Sequence, residues 1–227
     1  MAADIQVWAD FQCPFCYIGK KKLLMALETL GISDAMVTVR SILLDPYPAE
    51  ENGILLLEYV LGQYADDEES VKEGFRLREE EGCEAGLHMD MLKARYSDTR
   101  DAHRLFQFAK TRGLGSAFFD RAQRALFEEG LLLSDPEVLL RLAQETGLGR
   151  REAREVLNSG LFQTETEADD FEARKMDIDY VPYFILNGIR HFSGDLTIQE
   201  YLDELGGAAD TDPKRRGEGG RDAGIQV

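Results

Sequence analysis

The chain has 227 residues, 44% hydrophobic and 30% charged, which suits one large folded unit or a compact one carrying a big insertion. Its 26 basic and 43 acidic residues give a formal charge of −17, which disfavours a nucleic-acid or anionic-membrane partner, because no surplus of cations exists to release counterions. No run of about 18 apolar residues predicts a membrane span, and "MAADIQVW" lacks the basic and apolar regions of a secretory leader, so the expected location is cytoplasmic.

Residues 4 to 11, "DIQVWADF", alternate polar and apolar and predict a strand. From Pro14 the period lengthens. Ile18, Leu23, Leu24, Leu27 and Leu30 form a helical stripe that Gly31 closes, with Lys20, Lys21 and Lys22 expected in solvent. Residues 35 to 44, "AMVTVRSILL", are rich in β-branched side chains and predict a second strand. A long helical stretch follows. "ENGILLLEYVLGQY" reads as an apolar helix, and "DDEESVKEGFRLREEEG" as a charged one capped at Asp66 or Asp67. "SDTRDAHRLFQFAKTRG" should start at Ser97 or Asp98 and stop at Gly113, and "SDPEVLLRLAQETG" carries Pro136 in its first turn after a Ser/Asp cap. "SAFFDRAQRALFEEG", "GRREAREVLNSG" and "TETEADDFEARKMD" complete the helical set. In "PYFILNGIRHF", Asn187-Gly188 between two β-rich runs predicts a hairpin, and "TIQEYLDELGG" a closing helix.

The order is therefore β-α-β, many helices, then β-β-α. This is an α/β chain with the element order of a thioredoxin fold, interrupted by a large all-helical insertion. The expected division is 1–48 for the first part of the core, 49–177 for the insertion, 178–206 for the second part and 207–227 for a flexible tail.

Cys13 and Cys16 stand two residues apart at the first strand-to-helix junction. A thiol at a helix N-terminus meets unsatisfied N–H groups and the positive end of the helix dipole, both of which favour a thiolate. Cys13 is thus the expected nucleophile. Cys16, one turn in, is the expected resolving thiol, and Pro14 and Phe15 between them form the expected rim. A zinc site would need two further ligands from Cys83, His88, His103 and His191, and these lack the usual paired spacing. Cys83 reads as a spare thiol after an acidic helix. His103 lies at the edge of an apolar helical face, where a structural role is the plainer reading.

"DFQCPFCYIGKKKL", "SILLDPYPAEENG", "DTRDAHRL", "SDPEVLLRLA" and "YVPYFILNG" together resemble, in order, motifs of the DsbA-like thioredoxin superfamily, nearest its FrnE-type dithiol–disulfide oxidoreductases. The resemblance spans about residues 4 to 205. It implies disulfide oxidase, reductase or isomerase activity on protein or small-thiol disulfides, needing no cofactor or metal beyond the two sulfurs. The implied partners are thiol- or disulfide-containing proteins, with glutathione or a thioredoxin-type reductant, and a homodimer is compatible with isomerisation. It also implies that Val181-Pro182 is cis and faces the cysteines, and that His103 lies close to the active site, where it would join the substrate-binding rim. Related branches, the kappa-class glutathione transferases and the hydroxychromene-carboxylate isomerases, carry Ser in place of Cys13, so glutathione-dependent chemistry is the alternative within enzymes. A chaperone-like or metal-binding protein is the alternative outside them.

Overall fold

The computed structural model describes residues 3–45, 52–64 and 67–206. Strand β1 (Asp4–Ala9) leads into helix α1 (Pro14–Thr29) and strand β2 (Met36–Ser41). Seven helices follow among the described residues: α2 (Leu56–Gln63), α3 (Glu68–Glu84), α4 (Arg100–Thr111), α5 (Gly115–Phe127), α6 (Pro136–Glu145), α7 (Arg150–Leu157) and α8 (Gln163–Lys175). Strands β3 (Tyr183–Leu186) and β4 (Arg190–Ser193) and helix α9 (Ile198–Gly206) end the described chain. The sheet order is β2-β1-β3-β4, with β1 parallel to β2 and antiparallel to β3. This is a thioredoxin fold with its helical insertion between β2 and β3. The expected tail and the alternative cap Asp66 lie outside the described residues.

Local sequence explains most boundaries. Pro136 opens α6 behind Asp135, whose carboxylate accepts from Glu137 N. Asp67 caps α3 by accepting from Ser70 N. Helix α4 begins later than expected, because Ser97 faces inward instead of capping: its hydroxyl accepts from Leu133 N, and Thr99 takes the N-cap position without a side-chain cap bond. In the hairpin, Asn187 and Gly188 take φ of 54° and 68°, the left-handed pair that a two-residue turn between twisted strands requires. The turn is tied to the start of β1, since Asp4 N donates to Asn187 Oδ1 at 3.0 Å.

The lysine run corrects the expectation of a solvated face. Lys20 and Lys22 are 2% and 8% exposed. Lys20 pairs with Asp120 and donates to Ser116 Oγ; Lys22 pairs with Glu81 and donates to Leu196 O. Only Lys21 of the three faces solvent. The two buried ammonium groups join α1 to α5 and α3, so their charge serves packing between core and insertion.

A continuous apolar core runs from the sheet into the insertion. Phe11, two residues past β1, is fully buried, with His103 and Phe119 rings at 4.7 and 4.6 Å and the Phe106 and Phe118 rings at 6.2 Å. One aromatic side chain thereby seats the N-terminal end of α1 on α4 and α5.

Candidate active site

Cys13 occupies the N-cap of α1 with an extended backbone, φ −89° and ψ 112°. Its sulfur accepts from Cys16 N at 3.2 Å and lies 3.7 Å from Val181 O, to which the thiol form donates. Pro14 takes the first helical position, where its missing N–H leaves nothing unsatisfied. Cys16 is fully buried, whereas Cys13 retains slight exposure and lines a cleft. Burial pushes the Cys16 thiol well above its ordinary pKa, and the hydrogen-bonded, negatively charging Cys13 sulfur adds to the shift. Cys16 therefore keeps its proton, and Cys13 is the sulfur that faces the cleft.

The Val181-Pro182 bond is cis, and its loop faces Cys13. Gly19 makes room for that loop. A Cβ there would come within 2.8 Å of both Pro182 Cγ and the Tyr201 hydroxyl. The glycine one turn beyond the cysteines lets β3 and α9 close against α1.

Beneath Cys13 lies a buried polar hub. Asp10 Oδ1 accepts from Gln12 N and Thr99 Oγ1 at 3.0 Å each, and Oδ2 accepts from Leu44 N at 2.8 Å. Burial opposes ionisation of Asp10, yet the facing His103 and the two backbone N–H groups outweigh it and hold the carboxyl below its ordinary range. His103 Nε2 stands 3.5 Å from Asp10 Oδ1. Gln123 Nε2 reaches the carbonyls of Asp10 and Cys13 at 3.4 Å. The hub joins the end of β1, the loop after β2 and helices α4 and α5 directly under the reactive turn.

The structure brings Cys13, Pro14, Phe15 and Val181 to one cleft of about 200 Å³. Pro182 is buried behind it. His103 does not reach the rim: it is 0% exposed and sits one layer back, edge-on to Phe11, where it touches Asp10 instead of a substrate. Cys83 lies in the last turn of α3, exposed. No group of three or more His, Cys, Asp or Glu residues is arranged to hold a metal among the described residues. Sequence reasoning missed Asp10 and the tyrosines that form the far wall, Tyr59, Tyr64 and Tyr96. They come from separate segments, and nothing in their spacing marks them.

A family model for the DSBA-like thioredoxin domain matches residues 4–206. Among solved structures, a probable DsbA oxidoreductase of Streptomyces coelicolor superposes with a TM-score of 0.87 at 28% identity, over 97% of this chain and 94% of that one. The cytosolic disulfide reductase DsbM of Pseudomonas aeruginosa shares the fold at 20% identity and a TM-score of 0.61, over 91% and 98% of the two chains. The uncharacterized protein YwbO of Bacillus subtilis is 26% identical over 190 residues, 82% of this chain and 88% of that protein. With the dithiol at the N-terminus of α1 and the matched region spanning every described element, the chain belongs to the DSBA-like thioredoxin domain family.

Proposed function

We propose that this protein is a thiol–disulfide oxidoreductase acting on protein disulfides through Cys13 and Cys16. The observation that carries the reading is the asymmetry of the pair: Cys13 at the helix N-cap opens to a cleft, and Cys16 is buried behind it with its proton held. In the reducing direction the Cys13 thiolate attacks one sulfur of a substrate disulfide. The substrate S–S bond breaks, a mixed disulfide forms and one substrate thiolate leaves. Cys16 then loses its proton to that leaving group or to solvent and attacks Cys13 Sγ. The Cys13–Cys16 bond forms, the second substrate thiol departs, and two electrons have passed to the substrate. Oxidation is the same sequence reversed, and isomerisation stops at the mixed disulfide until a second substrate thiol displaces Cys13. A thioredoxin-type dithiol or a small thiol resets the pair when it works as a reductant.

Cys16→Ser should accumulate the mixed disulfide with a disulfide peptide, seen by intact mass, while Cys13→Ser should lose exchange by about 10³-fold or more. Equal, slow reaction of both variants would overturn the assignment. The equilibrium of the pair with glutathione then sets the direction: a potential near about −120 mV marks an oxidant or isomerase, and one near about −270 mV a reductant.

A further inference from the structure

The wall facing Cys13 is aromatic and acidic. Tyr59 stacks on Tyr96 with centroids 3.7 Å apart and planes 10° apart, and Tyr64 meets Tyr59 edge-on at 6.0 Å. Tyr64 is 52% exposed, so its ring is open to a ligand, while Tyr96 is buried against Tyr59 and backs the wall. Asp45 and Asp179 stand at the cleft, and no Lys or Arg lines it among the described residues. Asp179 is exposed, two residues before Val181, and no described residue hydrogen-bonds or ion-pairs with it. Asp45, by contrast, already holds the Tyr96 hydroxyl.

Cations on the segments that supply the cleft are occupied. Arg78 lies over the Phe15 ring and pairs with Glu81 and Asp195. Arg174 pairs with Asp170 and donates to Leu43 O; Arg100 pairs with Asp98; Arg95 donates to Gly53 O. A ligand carboxylate entering the cleft would find, among the described residues, no free guanidinium or ammonium on its walls, only an unpaired aspartate. A ligand cation would find that aspartate together with tyrosine faces, which attract ammonium and guanidinium groups through their ring quadrupoles. The formal charge of −17 works in the same direction at longer range.

From this we infer that the cleft selects peptide disulfides whose cysteine is flanked by Lys or Arg, and discriminates against anionic thiol compounds such as oxidised glutathione. Asp179 and Tyr64 are the specificity-determining groups, with Tyr59 and Tyr96 stacked behind them as the wall. The inference rests on the exchange chemistry proposed above and names its substrate class.

The test uses the reduced full-length protein and two short peptides, each with one cysteine in disulfide linkage to the same neutral reporter thiol. One peptide has two flanking lysines and the other two glutamates; oxidised glutathione and neutral 2-hydroxyethyl disulfide complete the set. At low salt the lysine peptide should react about tenfold faster than the glutamate peptide, with glutathione disulfide on the slow side. The gap should shrink severalfold near about 0.5 M salt, where screening shortens the reach of each charge to about one contact. Asp179→Lys should bring the ratio of the two peptide rates to about one or below. Equal rates for the two peptides, fast reaction of glutathione disulfide, or a ratio indifferent to Asp179→Lys would each overturn the inference while leaving the exchange chemistry standing. Failure of 2-hydroxyethyl disulfide as well would overturn both.

Discussion

The sheet with α1 and α9, and the helical segment between β2 and β3, hold themselves together in different ways. In the first, backbone ladders fix the register and close packing seats the helices: Gly19, Pro182, Phe184 and Tyr201 meet with no polar contact among their side chains, and Arg190–Glu204 ties β4 to α9. In the second, apolar stripes bury against one another, and many ion pairs, such as Arg150–Glu137 and Arg112–Glu152, sit on the surface, where each contributes little. The two regions meet under the reactive turn, and there the chemistry changes. Phe11 enters the insertion as an aromatic wedge, and Asp10 gathers donors from both sides. The site is held where the two styles join, so its rigidity depends on a few residues there and little on the surface pairs.

The largest expected effect comes from removing the wedge. Phe11→Ala should cost about 3–5 kcal/mol, because four neighbouring rings would line the resulting cavity and can collapse only in part. Chemical denaturation measures it. A loss near 1 kcal/mol or less would mean that core and insertion do not share one packed centre. Asp10→Asn comes next. The amide presents N–H groups to donors that now face a carboxylate, so Gln12 N, Thr99 Oγ1 or Leu44 N loses its partner, at about 1.5–3 kcal/mol. Exchange rates should fall with it, since the same donors fix the loop that carries Cys13. Stability lost with exchange unchanged would separate the hub from the site.

This division also explains what was legible beforehand. The dithiol, the Asn187-Gly188 hairpin and the Pro136 helix start rest on short-range rules, and each is where the sequence places it. So does the order of elements, since periodicity is a local property. Contacts between distant segments left no such trace. Lys20 and Lys22 look like any solvated turn until Asp120 and Glu81 arrive from residues far along the chain. Asp10 is one acid at a strand end, and its role comes from Thr99 and Leu44. His103 was placed near the reactive centre by resemblance; burial then puts it behind the cleft wall. The cleft tyrosines belong to α2, its C-terminal cap and the stretch before α4, which only the fold brings together.

A smaller effect tests the close packing of the sheet side. Gly19→Ala would press a methyl group onto Pro182 Cγ and the Tyr201 hydroxyl, which should cost about 1–3 kcal/mol. Tyr201→Phe should be close to neutral by itself, because that hydroxyl is buried without a hydrogen-bond partner. Combined, the two changes should cost less than their sum by about 0.5–1 kcal/mol, since the second removes one of the two clashing atoms. Strict additivity would show that the crowding is relieved by a movement of α1 as a whole.

The smallest expected effect is a pH slope where α1 meets α3. Burial raises the Glu81 carboxyl, and the neighbouring Asp195 adds to the rise; Lys22 touches Glu81 and opposes it, but loses, leaving the pKa at about 7. An unfolded Glu titrates near about 4.3. Between those values the folded chain holds a proton that the unfolded chain has released, so stability falls as pH rises through the window. Asp195 is shifted the other way, held below its ordinary range despite its burial by Glu81 and Arg78, and its contribution is lost only in stronger acid, outside this window. Glu81 is only half-buried, and solvent screening leaves on the order of 1–2 kcal/mol of that shift between about pH 5 and pH 8. Denaturation midpoints of the wild type should decline across that range by this amount, and Glu81→Gln, which cannot titrate, should flatten the decline. An unchanged slope in the variant would mean that Glu81 is ionised throughout, with the Lys22 contact outweighing burial. The junction would then be an ordinary ion pair, of the kind found on the surface of the insertion.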